Sequence, residues 1–323
     1  MKRYSVFIIL ALLVHSCTED VLSPINPSQS VDLSGQSTMQ EIPASPITLS
    51  TNKSGSIEQF LIDVNAGLSI QDAGIQLSAV EYLSNEEAGN TVFFNNTGNK
   101  QLTGDFVPND PRRLSGDDIL YALDGTQGST SSGLSQAQTD AAILSAMNTW
   151  NTVSCSGGLD VLSIGITDFD LGYVEALLGI GGAFLFTDLM HSVFNTDLFD
   201  AIFGPGSSVL GVTFTFVFTD DDGNPTDIDN NGKDDVAFRD IYYNDEFSWA
   251  IGDNIDVETV ALHEAGHGLS QQHFGKAFTS GGNNKLHFAP RAVMNAGYTG
   301  VQPDLLGTDN AGHCSNWSQW PSN

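Results

Sequence analysis

Apolar and polar positions alternate most plainly at residues 212–218. There Phe214, Phe216 and Phe218 fall on one face and Thr213, Thr215 and Val217 on the other, the two-residue period of a β-strand. Residues 237–243 read as a further strand, and shorter strands are expected at 91–94, 118–123 and 161–166. Helical spacing appears between them. Ser135 and Gln138 form a capping box, and Ile143, Met147 and Trp150 follow at i, i+4 and i+7, predicting a helix to about residue 150. Asp256 can N-cap a helix reaching about Leu269. Ile70, Gly74, Leu77 and Val80-Glu81 are spaced along one helical face, which predicts a helix over 70–83. Residues 172–191, Gly-rich and apolar, fit neither period. Helices and strands intermix, so the fold class is α+β, α/β-like in its alternation, with a long irregular C-terminal part and no internal repeat.

The N-terminus changes this picture. Met1-Lys2-Arg3 is basic, and the apolar stretch 4–14 is too short to span a bilayer, so residues 1–17 read as an export signal. Val14-His15-Ser16-Cys17 resembles the lipobox of bacterial lipoproteins. That resemblance implies lipidation of Cys17, with simple signal cleavage as the alternative, and a membrane contact made through the anchor alone. Residues 18–56, rich in Ser, Thr, Pro and Gln, read as a flexible tether. Residues 57–104 read as an N-terminal segment, either a removable propeptide or a fixed subdomain, ahead of a main domain at 105–323. Lys+Arg number 11 against 39 Asp+Glu, a formal net charge of -28, which repels phosphates and sets nucleic acid aside as a partner. Beyond Cys17 the cysteines are Cys155 and Cys314. In an exported chain such a pair reads as one disulfide, and its wide spacing excludes a cysteine zinc cluster. A monomer is expected.

The candidate chemistry lies at His263-Glu264-Ala265-Gly266-His267, with His273 six residues further on. On a helix of about 3.6 residues per turn, His263 and His267 share a face and can converge on one cation. Zn²⁺ is the expected ion, since two imidazoles at i and i+4 suit its roughly 2.0–2.1 Å Zn–N bonds. Glu264, beside the first ligand, is placed to work as general base on a zinc-activated water. His273 cannot reach the same ion if the helix continues, so a tight turn is needed near residues 268–271. His191, His287 and His313 lack partners at ligand spacing and read as structural or exposed. The chain has no G-x-S-x-G elbow, no Cys placed as a nucleophile and no P-loop.

HEAGHGLSQQH resembles the HExxHxxGxxH pattern of the metzincin clan of zinc endopeptidases, with Ser270 at the second Gly. That Gly takes a left-handed conformation, which costs Ser on the order of 1 kcal/mol. The resemblance implies a metzincin-type fold, a twisted mixed sheet with an active-site helix, and peptide or protein substrates. It extends to Ala292-Val293-Met294-Asn295, which looks like the clan's Met-turn, with Met294 as a floor under the imidazoles. Matrixin-type members carry a Tyr four residues later that lines the primary specificity pocket. Tyr298 matches it, while Ala296 stands where a Pro is usual. Residues 239–249 resemble the matrixin strand and turn before the helix, with Tyr242 in place of a His that binds structural zinc, so none is expected there. Matrixins can be held latent by a propeptide Cys. No Cys apart from Cys17 precedes Cys155, so an inhibitory N-terminal segment would have to use a carboxylate or steric cover.

Asp227, Asp229, Asn231, Lys233 and Asp235, with Gly232, fit the front of a calcium loop, D-x-D-x-N-G-x-x-D. Phe238 stands where an EF-hand has its closing Glu. Ca²⁺ is the expected ion of this loop, and a plain acidic turn is the alternative.

Overall fold

The structure, a computed structural model, describes residues 42–49, 56–94, 104–282 and 285–322. The signal segment, Cys17 and the first part of the tether lie outside them. In chain order the strands are Ile75–Asn85 (β1), Thr91–Phe93 (β2), Gly104–Asp105 (β3), Ile119–Leu123 (β4), Val161–Ile166 (β5), Leu189–Phe194 (β6), Val209–Phe218 (β7), Asp234–Tyr243 (β8), Trp249–Ala250 (β9), Ile255–Asp256 (β10), Lys276–Thr279 (β11), Leu286–Ala289 (β12) and Gly297–Tyr298 (β13). The helices are Ile57–Ile70 (α1), Gln136–Asn151 (α2), Tyr173–Leu178 (α3), Thr196–Phe203 (α4), Val257–Gly268 (α5) and Gly307–Trp317 (α6). Nine strands form one mixed sheet with the order β13-β1-β7-β8-β6-β4-β5, β2 pairing with β1 and β3 with β8. Strands β4, β5, β6 and β8 run parallel, while β7 is antiparallel to both β8 and β1.

Both faces of the sheet are covered, which is why β7 is buried along its whole length. The row Phe214, Phe216, Phe218 packs into the core on the side of α1, α3 and α4; Phe216 stacks on Phe238 with ring centroids 4.7 Å apart. The opposite face, carrying Thr213 and Thr215, looks toward α5, which lies between the sheet and α2. Trp150, at the end of the predicted apolar stripe of α2, is fully buried and its Nε1–H donates to the Leu262 carbonyl at 2.8 Å.

The helix expected over 70–83 is corrected. α1 ends at Ile70, the chain turns through Asp72 (φ 52°) and Gly74 (φ 67°), and residues 75–85 form β1. Left-handed residues stop a helix, and the dense apolar run then suits a strand buried on both faces. Across the boundary drawn at residue 105, β1 from the N-terminal segment is an interior strand of the sheet that the later strands form. Residues 42–49, expected within the tether, lie against the body. Ile42 is buried, and the Ile47 N–H donates to the Leu177 carbonyl at 2.7 Å. The unassigned stretch 172–191 holds α3 and the start of β6. Cys155 and Cys314 are joined in a disulfide, Cα atoms 5.6 Å apart, linking the short turn at Ser154–Ser156 after α2 to α6.

α3 sits over a set of buried carboxyls. Asp240 on β8 accepts from Ser192 Oγ, the Val174 N–H and Tyr242 Oη, so the Tyr242 hydroxyl is a hydrogen-bond donor here. Glu175 is fully buried; Asn195 Nδ2 donates to its Oε1, and its Oε2 has no partner. Burial, then repulsion from Asp170 and Asp240, pushes Glu175 up to about 8 from its ordinary 4.5. A carboxyl raised in the folded state holds its proton more tightly there than when unfolded. Its contribution to stability is therefore complete below 4.5 and is lost as pH rises through about 8. Unfolding free energy should fall between about pH 5 and pH 8, and Glu175→Gln should remove a large part of that fall. Urea melts of both proteins across this range check it; parallel curves would refute it.

Candidate metal centre

The metal candidates depend on how α5 begins and ends. At its start the Asp256 carboxylate accepts from the Thr259 N–H at 2.9 Å and from Thr259 Oγ1 at 2.6 Å. At its end Ser270 takes φ 61°, the Ser270 N–H donates to the His267 carbonyl and the Gln271 N–H to the Gly266 carbonyl. This pair of bonds is a Schellman motif with Ser in the usual Gly place. Buried Arg239 offsets the cost of the left-handed Ser: Nη2 donates to Ser270 Oγ at 3.0 Å and Nη1 to the Gly268 carbonyl at 2.8 Å. The turn reverses the chain and returns His273 to the helix face.

The three imidazoles then meet. Nδ1 of His263 lies 2.8 Å from the Val293 carbonyl and Nδ1 of His267 lies 2.8 Å from that of Gln271. A carbonyl only accepts, so each Nδ1 carries the proton and each Nε2 presents a lone pair. The Nε2 atoms of His263, His267 and His273 stand 3.1–3.2 Å from one another. Ligands about 2.0–2.1 Å from one tetrahedral ion stand roughly 3.3–3.4 Å apart, so the donor set fits zinc in both chemistry and spacing. Burial and then the neighbouring rings push His263 and His273 well below 6.5, toward the neutral form that ligation requires. For His267 burial pulls the same way, but the Glu81 carboxylate outweighs it and the net shift is upward.

Glu264 is fully buried beside the trio. Thr213 Oγ1 on β7 donates to its Oε2 at 2.8 Å, while Oε1 has no hydrogen-bond partner. Burial pushes it up to about 7, against the pull of His267 and Thr213. Gly211 makes room for it, since a Cβ there would stand 2.8 Å from Glu264 Cγ and Oε1.

Met294 is fully buried beneath α5, and Asp309 of α6 holds its turn by accepting from the Val293 and Met294 N–H groups at 3.0 and 3.1 Å. Tyr298 is half-buried; its hydroxyl donates to the Asn254 carbonyl at 2.7 Å and accepts from the Asp256 N–H at 3.0 Å, at the start of α5. In the acidic loop Asp227, Asp229 and Asp235 bring carboxylate oxygens within 4.8 Å of one another. Lys233 Nζ instead reaches Asp105 at 2.6 Å, Asn231 Nδ2 donates to Asp105 and Asp229, and Arg112 pairs with Asp235 at 2.7 Å. Among the remaining histidines, His191 is buried against the Tyr243 hydroxyl at 2.8 Å, and His313 bonds Ser156 Oγ at 2.8 Å. His287 is half-buried on β12.

Sequence reasoning missed Glu81, Thr213, Arg239 and Asp309. Glu81 on β1 brings Oε1 to 3.3 Å from His267 Nδ1. Its signal was a lone acid in the alternating row Leu77, Ala79, Glu81, Leu83, which a helical reading conceals. Neither a comparison with protein-family models nor one with curated proteins finds a match for this chain.

Gly266 is the hinge of the packing, because a Cβ there would collide with Met294 Sδ and stand 2.9 Å from Trp150 Cζ2. Gly266→Ala should cost about 1–3 kcal/mol by overpacking, and adding Met294→Ala should recover part of it. Urea melts of the single and double variants measure the coupling. Strictly additive effects would show that the two residues do not meet.

Proposed function

We propose that the chain is an exported zinc endopeptidase of metzincin type, hydrolysing peptide bonds in proteins. The observation that carries this is the convergence of three Nε2 lone pairs, 3.1–3.2 Å apart, with a buried glutamate next in sequence to the first. The left-handed Ser270, the Met294 turn under α5 and Tyr298 beside the helix start add the features that distinguish this clan from a bare HExxH. His263, His267 and His273 would hold Zn²⁺, which when bound supplies a Lewis acid for the scissile carbonyl and lowers the pKa of water. Glu264 is the proton carrier. Raised to about 7 by burial, it is matched to neutral pH, taking a proton from the attacking water and returning it to the leaving amine. Thr213 fixes its rotamer through Oε2 and leaves Oε1 free for that proton.

Export through the signal segment with lipidation at Cys17 belongs to the same proposal, and the Cys155–Cys314 disulfide suits an oxidising compartment. Ca²⁺ binding at Asp227, Asp229 and Asp235 is proposed as a stabilising site, in which the ion would replace donors now supplied by the loop itself.

A second reading is an envelope binding or structural protein that keeps the metal without proteolysis. It is favoured by the near-complete burial of His263, Glu264 and His267. Peptide-library cleavage by the zinc-loaded protein and by Glu264→Gln separates the two. The peptidase reading expects a loss of cleavage on the order of 10²-fold or more with zinc still bound one per chain. Equal rates in the two, or no cleavage by either, would support the structural reading instead.

A further inference from the structure

Lysine and arginine are scarce in this chain, and their placement is uneven. Four of the described ones are tied into the body. Arg112 pairs with Asp110 and Asp235, Arg113 with Asp188 and Lys233 with Asp105, while buried Arg239 holds the Ser270 turn. The other three, Lys276, Lys285 and Arg291, all fall on the β11–β12 hairpin or at its exit. That hairpin stands between His273 and Met294 in the chain. Asn295 clamps both of its ends to the Met294 turn, Nδ2 donating to the Phe274 carbonyl at 2.9 Å and to the Pro290 carbonyl at 3.1 Å. Its strand β12 lies close on Gly297, where a Cβ would stand 2.8 Å from Leu286 Cδ2 and 3.1 Å from Phe288 Cε2. The hairpin is thus fixed beside Tyr298.

A cleft of about 240 Å³ opens there, lined by Lys285, Leu286, His287, Phe288, Arg291 and Thr299. Two cations, an imidazole and a hydroxyl share one small space, and no acid lines it. Arg291 is aimed by its neighbour: Nε donates to Gln302 Oε1 at 2.8 Å. Gln302 is itself buried, and its N–H donates to Thr259 Oγ1 at 2.8 Å in the first turn of α5. Nη1 and Nη2 of Arg291 take no partner among the described residues. They form a planar fork that matches the two oxygens of a carboxylate. Glu87, whose carbonyl abuts Gly297, turns its own carboxylate to Ser208 Oγ instead. Leu286 and Phe288 add an apolar wall for the carbons that carry an incoming acid. The rest of the chain restricts what can dock, because a net charge of -28 repels an extended polyanion. A single carboxylate on an otherwise neutral peptide is the anion that suits this cleft.

We propose that the cleft binds a carboxylate of a peptide, gripped by the Arg291 fork with Lys285 and His287 beside it, and that it selects acidic substrates for the neighbouring metal centre. The selection rests on the peptidase reading; the carboxylate site does not.

Three fluorescent Ala/Leu peptides test this: one amidated with a central Glu, one amidated with a central Gln, and the Gln peptide with a free C-terminal carboxylate. Binding is measured on the zinc-loaded full chain carrying Glu264→Gln, and cleavage on the unaltered protein. A carboxylate peptide should bind at least about threefold tighter than the amidated Gln peptide at low salt, and about 1 M salt should erase the difference. Whichever carboxylate gives the gain, side chain or C-terminus, identifies the source. Adding Arg291→Gln should abolish the preference, and Arg291→Glu should reverse it in favour of a matching Lys peptide, an outcome that misfolding does not produce. Equal binding of all three peptides, or a carboxylate preference that survives Arg291→Glu, overturns the proposal. A carboxylate preference in binding with no cleavage of any peptide upholds the cleft and counts against the peptidase reading alone.

Discussion

Two backbone carbonyls, those of Val293 and Gln271, set the character of the whole site. By accepting the Nδ1 protons of His263 and His267 they turn both Nε2 lone pairs toward one point, where that of His273 joins them. Lone pairs so directed repel one another unless a cation stands among them, and the surrounding fold resists relaxation. Val293 is fixed because Asp309 grips its turn, and Gln271 because its N–H donates to the Gly266 carbonyl in the Schellman turn that ends α5. Arg239 closes the chain of dependence by tying that turn to the sheet. Second-sphere partners of this kind commonly govern metal affinity as strongly as the ligands do.

The sheet supplies the other half of the arrangement. β7 is the strand through which the two cores communicate, its phenylalanines facing α1 and α4 and its threonines facing α5. A site built against such a strand inherits its rigidity, and the burial that raises Glu264 to about 7 follows from the same cover. The same cover leaves the Glu264 carboxyl out of reach of solvent.

Much of this was legible in the chain itself. The strands at 119–123, 161–166 and 209–218, α2 and α5 with their caps, and the convergence of His263, His267 and His273 follow from local period and from ligand spacing. The reversal after α5 was legible too, because the five residues between His267 and His273 demand one that a helix cannot make, and the resemblance to the clan pattern marked Ser270 as its left-handed residue. What the sequence concealed is non-local. β1 is buried on both faces and mixes apolar with polar residues, so its apolar positions satisfy a helical stripe as well as a strand, and what decides between them is pairing with β7 more than a hundred residues later. Glu81 was hidden by that ambiguity. Asp309 looked like one acid among 39, and no local pattern marks it as the support of the Met294 turn.

The disulfide bears on durability. The β11–β12 hairpin is the most exposed ordered element near the site, with all four β11 residues open to solvent. A cut there would sever residues 290–322, including Met294, Tyr298 and Asp309, from the polypeptide that carries the histidines. The Cys155–Cys314 bond keeps the two pieces one covalent molecule, and the His313–Ser156 hydrogen bond holds them in register beside it. A molecule so joined would outlive the breakage of its own backbone.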